Sequence, residues 1–208
     1  MTDTELAGKT FDTIAEAVAS DAATPGGGAV AGLTAALAAG LVAMVARYST
    51  ATDRFDPVTL AARADELRGT AQRLADEDAR VYRRYLDAAA LPKQPDPAAR
   101  KAAIRAALDA AADVPLALTE VAEEVAGLGE LLAGAGNPRL RSDAVTAAQL
   151  GGAVATSAAA LVEENLRART DDPRVVRAAA LAASARTAAA GLLEPTRPEP
   201  TPPRSVPS

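Results

Sequence analysis

An all-α fold follows from three features of this 208-residue chain. About a quarter of the residues are alanine while aromatic side chains make up 2%, a balance that favours closely spaced helices over sheets packed on bulky groups. Helix-start signals recur as Asp56-Pro57, Asp96-Pro97 and Asp172-Pro173. In each, aspartate caps orphan N–H groups and proline takes the first helical position, where its missing N–H is not needed. Apolar residues also repeat at helical spacing over long stretches. The expected architecture is a bundle of about six helices over residues 1–194, with two uncharged, Ala/Gly-rich helices at its centre.

The first helix is expected from Asp3 to Ala19, with Phe11, Ile14 and Val18 on one face. A second follows Thr24-Pro25-Gly26-Gly27-Gly28 and runs to about Tyr48, within a stretch from Ala22 to Ala46 that carries no charge. The glycines admit two readings. One is a turn that feeds a buried helix; the other is a cradle, where positive φ angles let the backbone come close to another group and the free N–H groups of a helix start meet polar or anionic atoms. No lysine with Ser/Thr follows them, as a phosphate-binding loop requires.

The third helix runs from Pro57 to Leu91, because Leu60, Ala64, Leu67, Ala71, Leu74, Asp78, Val81 and Tyr85 alternate in steps of four and three. Asp78 stands where this seam calls for an apolar group. A carboxylate buried there needs an ion pair or hydrogen bonds, so it is either a polar residue fixing helix register or a functional acid. Asp76 and Glu77 fall on solvated faces. A fourth helix starts at Pro97, is kinked or split by Pro115, and stops at Gly134-Ala135-Gly136-Asn137-Pro138.

Ser142 or Asp143 then starts a fifth helix, uncharged from Ala144 to Val162, with Asn165 at the edge of its apolar stripe. Capping alone accounts for Ser142 and Asp143, and a satisfied core amide accounts for Asn165. A sixth helix runs from Pro173 to about Leu193. Residues 195–208 are proline-rich and read as a disordered tail.

Composition excludes several classes of function. A net charge of -5 with no basic patch argues against a nucleic-acid partner. The absence of cysteine and histidine removes disulfides, thiol nucleophiles and the usual zinc ligands, so no metal site is expected and proton transfer falls to Asp, Glu, Lys, Tyr or water. The N-terminus lacks a secretory signal pattern, which makes a cytoplasmic location the expectation. The two uncharged stretches approach bilayer length, and Gly28 and Gly32 form a GxxxG pair. Their Ala, Gly and Thr content, without an interfacial aromatic pattern, instead favours the fully buried centre of a bundle or of a dimer, with no membrane partner.

The order of motifs adds a resemblance. Thr24-Pro25-Gly26-Gly27-Gly28 continues into Met44-Val45-Ala46; Asp78 precedes Ala88-Ala89-Ala90-Leu91-Pro92-Lys93; then come Ala111-Ala112-Asp113-Val114-Pro115, Asn137 leading to Ser142-Asp143, and Asn165. In this order the chain resembles the cyclodeaminase/cyclohydrolase family of tetrahydrofolate one-carbon metabolism, over most of residues 5–170.

The resemblance implies an all-helical homodimer acting on a folate carbon bridge. It either hydrolyses 5,10-methenyltetrahydrofolate to 10-formyltetrahydrofolate or releases ammonia from 5-formiminotetrahydrofolate, with the folate as substrate and no permanently bound cofactor. It implies Asp78, Asp143 and Lys93 as catalytic residues, and Pro25, Gly26, Gly27, Gly28, Asn137, Ser142 and Asn165 as substrate-binding residues. Two positions depart from the family pattern: Ala29, where many members carry Ser, and Leu161, where many carry the first Asn of an Asn-x-x-x-Asn pair ending at Asn165. The alternative is a non-catalytic helical dimer that keeps the fold and binds a ligand or a partner protein.

Overall fold

Each Asp-Pro pair caps a helix in the computed structural model, which describes residues 6–167, 169 and 171–192. The Asp56 carboxylate accepts from the Thr59 N–H at 2.8 Å, Asp96 from Ala98 and Ala99 at 3.0 and 2.9 Å, and Asp172 from Arg174 at 3.0 Å. These caps open α3 (Pro57–Ala90), α4 (Pro97–Ala135) and α6 (Pro173–Ala190). The remaining helices are α1 (Phe11–Ala19), α2 (Gly27–Arg47) and α5 (Arg141–Asn165), and short 3-10 turns lie at Leu6–Gly8 and Pro138–Leu140. No strand occurs among the described residues. The fold is an all-α bundle.

Helices α2 and α3 run antiparallel, since Gly28 lies beside Asp78, Gly32 beside Ala75 and Gly40 beside Arg68. The pair α4 and α5 does the same, with Gly129 against Ala148 and Gly151 against Ala126. Helix α6 packs across α4 and α5. The core is largely alanine, and its largest fully buried side chains include Leu118, Leu132, Val42 and Val125. Small side chains let the axes approach closely: a Cβ on Gly32 would stand 2.8 Å from the Ala75 Cβ, and one on Gly129 would stand 2.7 Å from the Ala148 nitrogen.

The structure revises several local expectations. Pro115 does not split α4, which continues for 39 residues through it; packing on both sides holds the helix together where the proline removes one bond. Asp76 is buried rather than solvated, because the Leu6–Gly8 turn folds onto α3 and the Leu6 N–H donates to Asp76 Oδ1 at 2.7 Å. Among the described residues no glycine has a positive φ, so the glycines before α2 do not serve a left-handed turn. The first helix starts at Phe11 under a Thr10 cap, with Thr13 N–H donating at 3.3 Å. Asp3 lies outside the described residues, as does the 195–208 tail.

The fifth helix begins at Arg141 after the 3-10 turn, so Ser142 and Asp143 lie in its first turn and cap nothing with their side chains. Asn137 caps that 3-10 turn, accepting from the Arg139 N–H at 3.0 Å. Nor are the two uncharged helices fully buried. Both are long and apolar enough to cross a membrane, yet 61% of the apolar window in Gly27–Arg47 and 44% of that in Pro138–Asn165 is packed inside the bundle. Each therefore presents an uncharged outer stripe.

Candidate functional site

The seam position that sequence pattern singles out on α3 meets the start of α2. Asp78 is half-buried, and its carboxylate faces the Ala29 N–H in the first turn of α2. A Cβ on Gly28 would stand 2.0 Å from Asp78 Oδ1 and 2.4 Å from its Cγ. Gly28 is therefore glycine for space: only hydrogen there lets the carboxylate rest on the helix terminus, where free N–H groups and the helix dipole favour negative charge. Burial pushes the Asp78 carboxyl up, and the facing Ala29 N–H opposes that rise.

A cavity of about 320 Å³ opens on this carboxylate. Gly26, Gly27, Gly28 and Thr24 form one side, Asp78, Val81 and Tyr82 a second, and Ala111, Leu161, Glu164 and Asn165 the rest. Four helices and one loop thus converge on it. A larger furrow of about 560 Å³ runs along α3 from Gly69 to Arg80, and among the described residues only that helix lines it.

Asn165 has a second task that explains its place. Pro115 has no N–H, so the carbonyl four residues earlier, that of Ala111, loses its partner within α4. The Asn165 Nδ2 donates to that carbonyl at 3.0 Å. One side chain at the end of α5 thus repairs the proline gap in α4 at the cavity wall.

The sequence-proposed residues divide into two groups. Gly26, Gly27, Gly28, Asp78 and Asn165 line one cavity, with Pro25 in the loop that carries its glycine wall. Asn137, Ser142 and Asp143 sit at the opposite end of α2: the Asn137 side-chain amide donates to the Tyr48 carbonyl at 2.8 Å, and its backbone N–H donates to Ser49 Oγ at 2.9 Å. Those contacts tie the α4–α5 corner to the end of a helix that, at 21 residues, spans about 30 Å. Lys93 is exposed in the α3–α4 loop, fifteen residues after Asp78 and outside the cavity lining.

Sequence reading missed Tyr82 and Glu164. Tyr82 follows Asp78 by four residues on the same face of α3, and Glu164 lies three residues after Leu161 on α5. That spacing was the available signal. Of the two departures from the family pattern, Leu161 lies in the cavity wall, while the Ala29 methyl is fully buried and only its backbone serves Asp78.

Comparison with known proteins bears on the family and the fold. The formiminotransferase-cyclodeaminase family model matches residues 10–185. The chain is similar to the methenyltetrahydrofolate cyclohydrolase of Methylorubrum extorquens, 35% identical over 170 residues that cover 78% of this chain and 82% of that protein. It is also similar to the formimidoyltransferase-cyclodeaminase of Sus scrofa, 35% identical over 150 residues, 68% of this chain and 27% of that longer protein. Among solved structures it is similar to the formiminotetrahydrofolate cyclodeaminase of Thermotoga maritima, with a TM-score of 0.78 and 25% identity over 91% of this chain and 98% of that one.

Proposed function

Because this chain belongs to the formiminotransferase-cyclodeaminase family, we propose that it hydrolyses 5,10-methenyltetrahydrofolate to 10-formyltetrahydrofolate, with Asp78 handling the proton. The observation that carries the reading is the half-buried Asp78 carboxylate, set on the α2 terminus at the floor of a cavity. A carboxyl raised by burial holds a proton more readily than an ordinary one, which suits it to take and return one. Its negative form also faces an amidinium carbon that is already electrophilic.

In this proposal water adds to the bridge carbon, forming a C–O bond, while Asp78 accepts one water proton. The bond from that carbon to N5 then breaks, N5 receives the proton from Asp78, and the hydroxyl proton leaves to solvent as the formyl C=O forms. Atoms and charge balance: a cation and water give a neutral formyl product and one released proton. Gly26 and Gly27 leave room for the folate at the cavity wall, because nothing lies within 4 Å of a Cβ built on either. Asp143, Lys93, Asn137 and Ser142 take no part within one subunit.

The second reading, ammonia release from a formimino group, is favoured by the likeness to the Thermotoga cyclodeaminase. It uses the same carbon. The test follows ultraviolet absorbance of methenyltetrahydrofolate with and without protein, beside ammonia release from the formimino compound. Accelerated methenyl loss that disappears in Asp78→Asn supports the proposal; a rate equal to buffer with folded protein removes it.

The reading includes a homodimer through α2. Val30, Thr34, Leu37, Leu41, Met44 and Tyr48 alternate in steps of four and three along its outer side, and Val30, Leu37 and Tyr48 are exposed. An uncharged seam of this spacing suits pairing with a second copy. Sedimentation should report a dimer for the wild type and a monomer for Leu37→Lys; a monomeric wild type removes this part.

A further inference from the structure

The Asp78 cavity does not end at its own walls. A second cavity of about 350 Å³ shares Tyr82, Ala111, Glu164 and Asn165 with it and continues past Tyr85 and Leu108 to Arg167. The two form one trough, of the size that encloses an elongated small molecule. Along it the charged groups follow a fixed order. Asp78 belongs to the first chamber alone, Glu164 to both, and Arg167 to the second alone; among the described residues no cation lines the first.

The middle of the trough is aromatic. Tyr82 and Tyr85, three residues apart on α3, hold their ring centroids 5.8 Å apart at 41°. Among the described residues the Arg167 side chain pairs with Glu164, at 3.0 Å, with both side chains mostly exposed. An exposed pair of that kind is weak, so an incoming carboxylate can take over the guanidinium at little cost. Nearby Arg169 and Arg174 are committed to Asp109, and Arg174 to Asp113 and Asp172 as well.

A methenyl folate has a matching polarity: a cationic carbon bridge, an aromatic ring beyond it, and glutamate carboxylates at the far end. Resting on the folate reading above, we propose that Arg167 receives the glutamate carboxylate of the substrate, with the aromatic ring over Tyr82 and Tyr85 and the bridge at Asp78. The reverse orientation sets the anionic tail against Asp78. Arg167 is thus a specificity residue for the tail, remote from the reacting carbon.

The test compares methenyltetrahydrofolate with methenyltetrahydropteroate, which lacks the glutamate. For Arg167→Gln, KM for the glutamylated substrate should rise about tenfold with kcat unchanged, KM for the pteroate compound should not move, and Arg167→Lys should recover part of the loss. An equal change for both substrates, or none for either, overturns the proposal. Calorimetric binding of 5-formyltetrahydrofolate and its pteroate counterpart to wild type and Arg167→Gln reads the same contrast without turnover. Failure of the tail site is thereby separated from failure of the proposed reaction: binding that discriminates glutamate through Arg167 without turnover removes only the latter.

Discussion

Adding one methyl group at Gly28 tests the site more sharply than removing any side chain. Its Cβ would lie 2.0, 2.4 and 2.7 Å from the Oδ1, Cγ and Oδ2 of Asp78. To reach an ordinary contact of 3.4 Å, the nearest carboxylate oxygen must retreat by about 1.4 Å (3.4 − 2.0). That movement takes the carboxylate away from the Ala29 N–H and the α2 terminus, a loss of about 1–2 kcal/mol for a charge on a half-buried group. Replacing glycine by alanine in a helix returns up to about 1 kcal/mol, less in a first turn. Stability should therefore fall by no more than about 1–2 kcal/mol.

Activity should fall far more, since misplacing a catalytic group by about 1 Å can cost about a hundredfold in rate. Steady-state loss of methenyl absorbance and a thermal melt measure the two effects on one preparation. Gly27→Ala is the control for the melt alone, because its Cβ meets no protein atom within 4 Å, and its melting temperature should hold or rise. Wild-type kcat/KM in Gly28→Ala would refute the reasoning that Asp78 acts from the α2 terminus.

Four further outcomes are expected. Asn165→Ala should cost about 1–3 kcal/mol by orphaning the Ala111 carbonyl; adding Pro115→Ala, which returns an N–H to α4, should recover much of that loss in a double-mutant cycle by denaturant melts. Asp78→Asn should abolish turnover while raising stability at neutral pH. The sign follows from a folded carboxyl raised above its ordinary value of 3.8: its favourable contribution is present below that value and lost as pH rises through the folded one, so wild type and variant should converge in acid. Asp172 behaves oppositely, since the Arg174 contacts hold it at about 2; its contribution should persist above pH 4 and fade toward about pH 2, a trend absent from the acid melts of Asp172→Asn. Gly32→Ala should destabilise by about 1–3 kcal/mol in thermal melts, because its Cβ meets Ala75 Cβ at 2.8 Å and the Ala71 carbonyl oxygen at 3.0 Å across two packed backbones.

Local chemistry made the helix frame legible. Asp56, Asp96 and Asp172 announce helix starts through contacts with residues at most three positions away, and each makes them. The same short range made Asp78 visible, as a charge interrupting an apolar seam. Where pattern reading failed, the deciding partner was distant in the chain. Asp76 is buried because Leu6, seventy residues earlier, folds onto it. Helix α4 runs through Pro115 with Asn165, on another helix, supplying the donor that the carbonyl of Ala111 lacks.

The motif order also overstated how many residues meet. Asn137, Ser142 and Asp143 are near one another in sequence, but they lie away from the cavity, with Asn137 securing the far end of α2, whereas Gly28 and Asp78 meet at its beginning. By itself the sequence determined the all-α class, the helix starts and the anomalous carboxylate, because caps and periodicity act within a few residues. Only the tertiary structure decided that Gly28 is required for space rather than for φ, that Tyr82 and Glu164 share the cavity, and that the proposed residues separate into two ends. Those facts depend on which helices pack antiparallel and in what register, and backbone approach between distant segments sets both.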